Sequence, residues 1–375
     1  MDFNSNGQFN NNSQNGNVNN GQNGGFNGFN QNSQNSPYGN NFVPPFPPSP
    51  FPVNPQEEQK RKDKKILTTM GFSFGLAIIL YFVLSKAVIA FLFLISRFSP
   101  ALKSFMSGQT GLYVLQSFMS VLFIGGPFLI SYSILKKKKY VGILPYGTTY
   151  NKKAAVSLTM FLAPVMLVST IIVNLISAVF QDAVGITFES GMEDMTAEGP
   201  FGAIILAFSL AVIPAIVEEF CIRGVVLQPL RRYGDKFAIV MSAAIFSILH
   251  GNMVQIPYTL VAGIYLGYLC VATGSIWPSI VLHFINNMFS AVQLIILSNY
   301  GETASAASVV IMLGVLVAVG IAGGLIFFNM GYKTELKKGV NTLKTGEKVG
   351  SVLKSPALIV AIVFMLFTTV TTVNF

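Results

Sequence analysis

"FGAIILAFSLAVIPAIVEEFCIRGVVLQP", residues 201–229, is an apolar run in which Glu218, Glu219 and Arg223 stand alone as charged residues. About 20 predominantly apolar residues cross a bilayer as a helix. The stretch therefore reads as a membrane helix that carries ionisable groups inside the hydrocarbon. Groups of that kind are costly unless paired or solvated, and they mark function by default.

The same apolar character recurs along the chain. Hydrophobic residues make up 52% of the sequence and charged residues only 10%, and the mean hydropathy is +0.58. Further runs lie near 66–95, 110–135, 154–180, 237–252, 257–273, 276–297, 305–328 and 357–374. The expected fold class is an all-α polytopic membrane protein of about eight to nine transmembrane helices, since helices satisfy their own backbone hydrogen bonds in lipid. A transmembrane β-barrel would show short alternating segments instead. The runs 237–252 and 257–273 are short for a bilayer, which fits tilting, longer helices than marked, or shielding by neighbours.

The net charge of +9 is gathered between the apolar runs. Lys and Arg cluster at 60–65, 136–139 with 152–153, 231–236 and 333–354, whereas "QDAVGITFESGMEDMTAEGP", residues 181–200, is acidic. The positive-inside rule places the basic loops in the cytoplasm, with one alternating threading for every loop, a cytoplasmic N-terminus and an external C-terminus. This charge reads as topology and lipid-headgroup contact, not nucleic-acid binding. Cys221 and Cys270 both sit in apolar segments and support neither a disulfide framework nor a zinc knuckle. The first fifty residues are polar and show no signal peptide. Residues 1–56 are rich in Asn, Gly and Gln and then in Pro and Phe, a composition that reads as a disordered cytoplasmic tail. Residues 57–375 form the helical membrane domain, with a functional core at about 150–300.

The chain has only two histidines, His250 and His283, and both fall within apolar runs. At ~1.5 Å per residue, the Glu pair lies roughly 18 Å inside the cytoplasmic end marked by Arg231 and Arg232. His250 and His283 are also reached from that side, so the three elements can meet in one cavity. Helical spacing separates the two glutamates, because residues four apart share a face and adjacent residues do not. Glu219 and Arg223 suit an ion pair, which leaves Glu218 as the proton-transfer residue. Phe246 and His250 share a face, as do His283 and Asn287; the latter two are candidate donors to a developing oxyanion. Asn286 points elsewhere and reads as a helix–helix hydrogen bond. Phe246 reads equally as lipid-facing or as core packing.

These roles describe hydrolysis: water activated by Glu218 with His250 attacks a carbonyl whose oxygen is held by His283 and Asn287. Glu218, His250 and His283 are also a ligand set that zinc would accept with one position open, although no H-E-x-x-H pair is present. Metal-free and zinc-assisted routes both stay open from the residues.

"EEFCIR" (218–223), "FSILH" (246–250) and "HFINN" (283–287), in this order in consecutive apolar segments, resemble the EExxxR, FxxxH and HxxxN motifs of the CPBP family of CAAX proteases and bacteriocin-processing proteases, the Rce1-like intramembrane endopeptidases. The resemblance covers roughly residues 150–300. It implies a conical cavity open to the cytosol and the bilayer, Glu218 as water activator, His250 as its partner, and His283 with Asn287 around the oxyanion. Many members carry an aromatic residue before the motif arginine, where this chain has Ile222. The long Asn/Gly/Pro-rich tail is outside the family pattern.

The partners expected are membrane lipid and a peptide or membrane-protein substrate, whether prenylated and CAAX-like or of bacteriocin type, in a bacterial plasma membrane. Two rival classes are a proton-coupled transporter using the same residues as a relay, and a catalytically silent immunity or scaffold protein. Against the first, the ionisable residues bunch in one half of the chain, and no inverted repeat with broken helices is visible.

Overall fold

Helix starts and stops follow local chemistry. Asn54 accepts a hydrogen bond from the Gln56 backbone N–H at 3.0 Å and Pro55 opens the first turn, so α1 runs Pro55–Ser96. A short α2, Pro100–Ser107, is capped by Ser99. It precedes α3, Gln109–Lys137, which contains one wider turn at Ser120–Gly125. Asn151 caps α4, Lys152–Val184, through the Ala154 N–H at 3.0 Å, and Gly185 ends it at φ +71°. The quoted run forms α5, Gly199–Tyr233. There follow α6, Asp235–Leu249; α7, Gln255–Thr273; α8, Trp277–Asn329; α9, Thr345–Leu353; and α10, Pro356–Val370. Two-residue strands, β1 Thr187–Phe188 and β2 Val373–Asn374, pair antiparallel. The structure is a computed structural model and describes residues 54–141, 144–185, 187–188, 195–197, 199–340, 342–370 and 373–374. The expected tail falls outside the described residues up to position 53, and Pro55 and Gln56 already belong to α1.

The chain is an all-α polytopic membrane protein. Among the described residues, six helices are long and apolar enough to cross a membrane, or seven if α9 and α10, bent by 77°, count as one span. The sequence expectation of about eight to nine differs in how α6 and α8 are counted. Its segments 276–297 and 305–328 are the two helices within α8, which folds back at Gly301, where φ is +81° and the Ser305 and Ser308 hydroxyls reach Gln293 Oε1 at 3.1 and 3.2 Å. Its segment 237–252 is α6, which at 15 residues is shorter than a bilayer crossing requires.

The loops sort into two ends. Lys60 meets Glu347 at 2.9 Å, the Lys348 ammonium reaches the Tyr233 carbonyl at 2.7 Å, and Lys65 and Lys138 line one groove. The Tyr150 N–H donates to the Thr273 carbonyl at 3.0 Å, which brings the α3–α4 loop to the α7–α8 loop. At the other end Tyr113 donates to the Thr196 carbonyl at 2.6 Å, and Asn299 to Ala197 at 2.6 Å. All the basic clusters thus share one end, as a single alternating threading requires.

Two cores surround α5 and α4. The stretch Cys221–Leu230 of α5 is buried within a cluster formed by Leu67, Met70 and Phe74 of α1, Phe128 of α3, Ile245 of α6 and Val352 of α9. The second core packs Leu158, Leu162 and Met166 of α4 against Leu266 of α7 and Leu282 and Phe327 of α8. α8 approaches α4 so closely that a Cβ at Gly323 would stand 2.8 Å from the Ser157 carbonyl oxygen. Only glycine fits that crossing.

A buried polar clasp fixes the basic end of α5. Asp63 is fully buried and accepts from Tyr233 at 3.2 Å, Thr342 at 2.7 Å and Gln59 at 3.2 Å, with Arg232 at 3.7 Å. Replacing Asp63 with Ala would leave these donors without their acceptor. We expect a loss of about 1–3 kcal/mol, read as a lower thermal-unfolding midpoint in detergent.

Candidate functional site

α5 carries three prolines, Pro200, Pro214 and Pro229, and Pro214 shapes the site. Pro214 has no N–H to give to the wide turn before it, Phe208–Val212, which includes the carbonyl of Leu210. The Asn287 side chain donates to that carbonyl at 3.0 Å and thereby ties α8 to α5. Asn286 does not bridge helices as expected from its position; its amide donates to Asn287 Oδ1 at 3.2 Å and orients it. Asn287 Nδ2 keeps a second hydrogen for another acceptor.

Four residues past Pro214, α5 presents its charged groups. Arg223 Nη1 lies 3.0 Å from Glu219 Oε1, as helical spacing predicts, and both side chains are fully buried. The contact is an ion pair by proximity, not a linear hydrogen bond. Arg223 Nη2 donates to the Gly263 carbonyl at 3.2 Å. Gly263 permits this because α7 touches α6 there: a Cβ would stand 3.0 Å from Ala243 Cβ. The guanidinium carbon lies 4.8 Å from the centre of the Phe246 ring.

Glu219 holds a second partner. His283 Nδ1 is 2.9 Å from Glu219 Oε1, and a carboxylate only accepts, so this nitrogen carries a proton. The bond turns the other ring nitrogen toward Glu218: His283 Nε2 lies 3.7 Å from Glu218 Oε2. Glu218 is the more accessible of the two carboxylates, with 15% of its side chain exposed against 0% for Glu219. One buried pair thus positions a histidine whose free nitrogen shares a space with the second carboxylate.

His250 lies just past the end of α6, which stops at Leu249, and the chain then turns through Gly251 at φ +58°. His250 Nδ1 bonds the Phe246 carbonyl at 2.9 Å, which satisfies an acceptor of the last turn and assigns the proton to Nδ1. Phe246 is a core residue at 2% exposure, not a lipid-facing one. Its ring lies edge-on to His250 at 4.8 Å and to His283 at 5.9 Å, so one phenyl group spaces both imidazoles and the guanidinium. The Glu218 contact in the structure is His283; the expected partner His250 meets the cluster through Phe246.

Two neighbours carried no signal in the sequence. The hydroxyls of Tyr81 on α1 and Tyr258 on α7 lie within electrostatic reach of Glu218. Neither belongs to a motif, and only helix packing brings them in.

A zinc site needs its ligands gathered around one point. Among the described residues no group of three or more His, Cys, Asp and Glu side chains is so gathered. The proposed set of Glu218, His250 and His283 therefore does not fit zinc as placed.

Compared with known families, residues 200–289 match the model described as type II CAAX prenyl endopeptidase Rce1-like. That interval runs from the start of α5 through the first turns of α8 and includes every residue of the cluster on those helices. This match spans 90 of the 375 residues. No curated protein and no solved structure matches the chain. The matched model describes a CAAX prenyl endopeptidase type, and the helices it spans carry Glu218, Glu219, Arg223, His250, His283 and Asn287.

Proposed function

We propose that this protein is an intramembrane endopeptidase in which Glu218 activates water within the Rce1-like domain. The observation that carries this reading is the chain Arg223–Glu219–His283–Glu218. Here a fully buried ion pair orients an imidazole, and the imidazole faces a carboxylate free of any cation of its own. Two acceptors 3.7 Å apart can both hydrogen-bond one water, each at about 2.8 Å, leaving its oxygen lone pairs toward a substrate carbonyl.

Glu218 takes the water proton as the oxygen attacks, and the peptide carbonyl becomes an oxyanion. The second N–H of Asn287 donates to it, joined by His283 once Glu218 has passed the water proton to its Nε2. Collapse of the tetrahedral intermediate breaks the C–N bond, and the proton passes to the leaving amine. His250, with its Nε2 lone pair free, assists Glu218. The substrate is a peptide segment presented at the membrane, of CAAX-like or bacteriocin type. The positive-inside rule makes the basic end cytoplasmic, together with the N-terminus.

The test uses purified protein in liposomes with a library of membrane-anchored peptides, read by mass spectrometry for new termini. Cleavage that requires Glu218 supports the reading; substrate-dependent proton flux with every peptide intact would point to a transporter instead. Metal-stripped protein retains full activity in this scheme, and activity that disappears on chelation and returns with zinc contradicts it.

Asn287→Ala should lower kcat/KM by about 10²–10³, the usual loss for one oxyanion donor. The same change orphans the Leu210 carbonyl, so stability is measured alongside. A drop in melting temperature without the kinetic loss would restrict Asn287 to a structural role.

A further inference from the structure

A groove of about 540 Å³ lies between α1, α3 and the first residue of α10, away from the Glu218 cluster. On the α1 wall, Lys65, Thr68, Thr69 and Phe72 follow the spacing that keeps residues on one helical face. Ile134 and Lys138 form the α3 wall, and Pro356 closes it. Lys65 and Lys138 stand nearest the basic end of the molecule, and Phe72 and Ile134 lie deeper along their helices. The order from the surface inward is therefore cationic and then apolar, with Phe72 still 47% exposed.

The two groove lysines, among the described residues, carry no carboxylate partner, unlike three other lysines of α1. Lys60 and Lys64 both close on Glu347, at 2.9 and 3.1 Å, and Lys62 pairs with Glu58 at 2.6 Å. Arg231 pairs with Asp235 at 2.7 Å. Among the described residues, neither Lys65 nor Lys138 enters an ion pair. Thr68 and Thr69 give their hydroxyl protons to helix carbonyls, at 3.0 Å to Lys64 and 2.9 Å to Lys65, so their oxygens remain acceptors.

We infer that this groove is a binding site for an anionic phospholipid of the membrane leaflet at the basic end. Lys65 and Lys138 hold its phosphate, the threonine oxygens accept from a headgroup hydroxyl, and an acyl chain lies along Phe72 and Ile134. A soluble anion would match the lysines and leave the apolar floor unused; a neutral lipid would leave both charges unanswered. Basic pockets between membrane helices on the cytoplasmic side recognise anionic headgroups in this way.

The experiment counts lipid adducts on the delipidated full chain by native mass spectrometry as phosphatidylglycerol or phosphatidylcholine is titrated in. Wild type should retain one phosphatidylglycerol preferentially. Lys65→Gln/Lys138→Gln should weaken it by about tenfold or more, given the contribution of each lysine near an anionic headgroup. Lys65→Arg/Lys138→Arg should retain it. The control Lys152→Gln/Lys153→Gln removes the same charge from exposed positions at the start of α4 and should leave binding unchanged. Equal weakening in the control, undiminished binding in the glutamine variant, equal retention of phosphatidylcholine, or displacement by millimolar inorganic phosphate would each overturn the site.

Discussion

Glu218→Gln should remove peptide cleavage, with kcat/KM falling by about 10³ or more while the protein keeps its melting temperature. The magnitude follows from the role, since general acid–base catalysis contributes about 10²–10⁴. Glutamine has nearly the shape of glutamate but cannot take a proton from water. Glu218 also makes no contact closer than 3.7 Å with His283, so its replacement orphans no buried partner. Rates of the variant and wild type on one identified peptide, with thermal unfolding on the same samples, check this. Activity within tenfold of wild type would remove Glu218 as the base.

The second large effect is on stability. Arg223→Met leaves Glu219 as a fully buried carboxylate without its guanidinium partner. Breaking one side of a buried pair costs about 3–5 kcal/mol. It also removes the hydrogen bond to the Gly263 carbonyl and the cation over Phe246. Glu219→Met/Arg223→Met removes both charges and should recover part of that loss in a thermal or denaturant titration. Activity should remain low in the double variant, because Glu219 is also the acceptor that aims His283 at Glu218. Recovery of stability without recovery of rate separates positioning of His283 from simple support of the fold.

The sequence was informative where one helix determines the outcome. The Glu219–Arg223 pair needs only the four-residue spacing of α5, and the structure places it at 3.0 Å. The membrane class needs only the length and apolarity of the runs. What depends on how helices rotate against each other was not legible. His283 reaches Glu219 across 64 positions of sequence, and no periodicity within α8 says which carboxylate its Nδ1 will meet. Phe246 likewise read equally as lipid-facing or core, because the side of α6 that is covered depends on α5 and α8. Tyr81 and Tyr258 approach Glu218 from helices that carry none of the motifs.

One signal in the sequence had a definite physical meaning that spacing within α8 alone could not supply. Pro214, inside an apolar helix, implies an unbonded carbonyl in the turn before it, and a polar side chain from a neighbour can satisfy that turn. Asn287 does so at 3.0 Å. Span counting met a different obstacle. The two runs of α8 are two helices that fold back at Gly301, as their composition marks them, whereas the 15-residue α6 is too short to be the span that its apolar run suggested.

Hydrolysis within the Rce1-like domain is tested most directly by reacting wild-type protein with a cleaved peptide in heavy-oxygen water. Water-mediated hydrolysis predicts one heavy oxygen in the new carboxyl terminus of the product and none in the uncleaved peptide. Products without heavy oxygen, or peptides that cross the membrane intact with proton flux and no new termini, would contradict it.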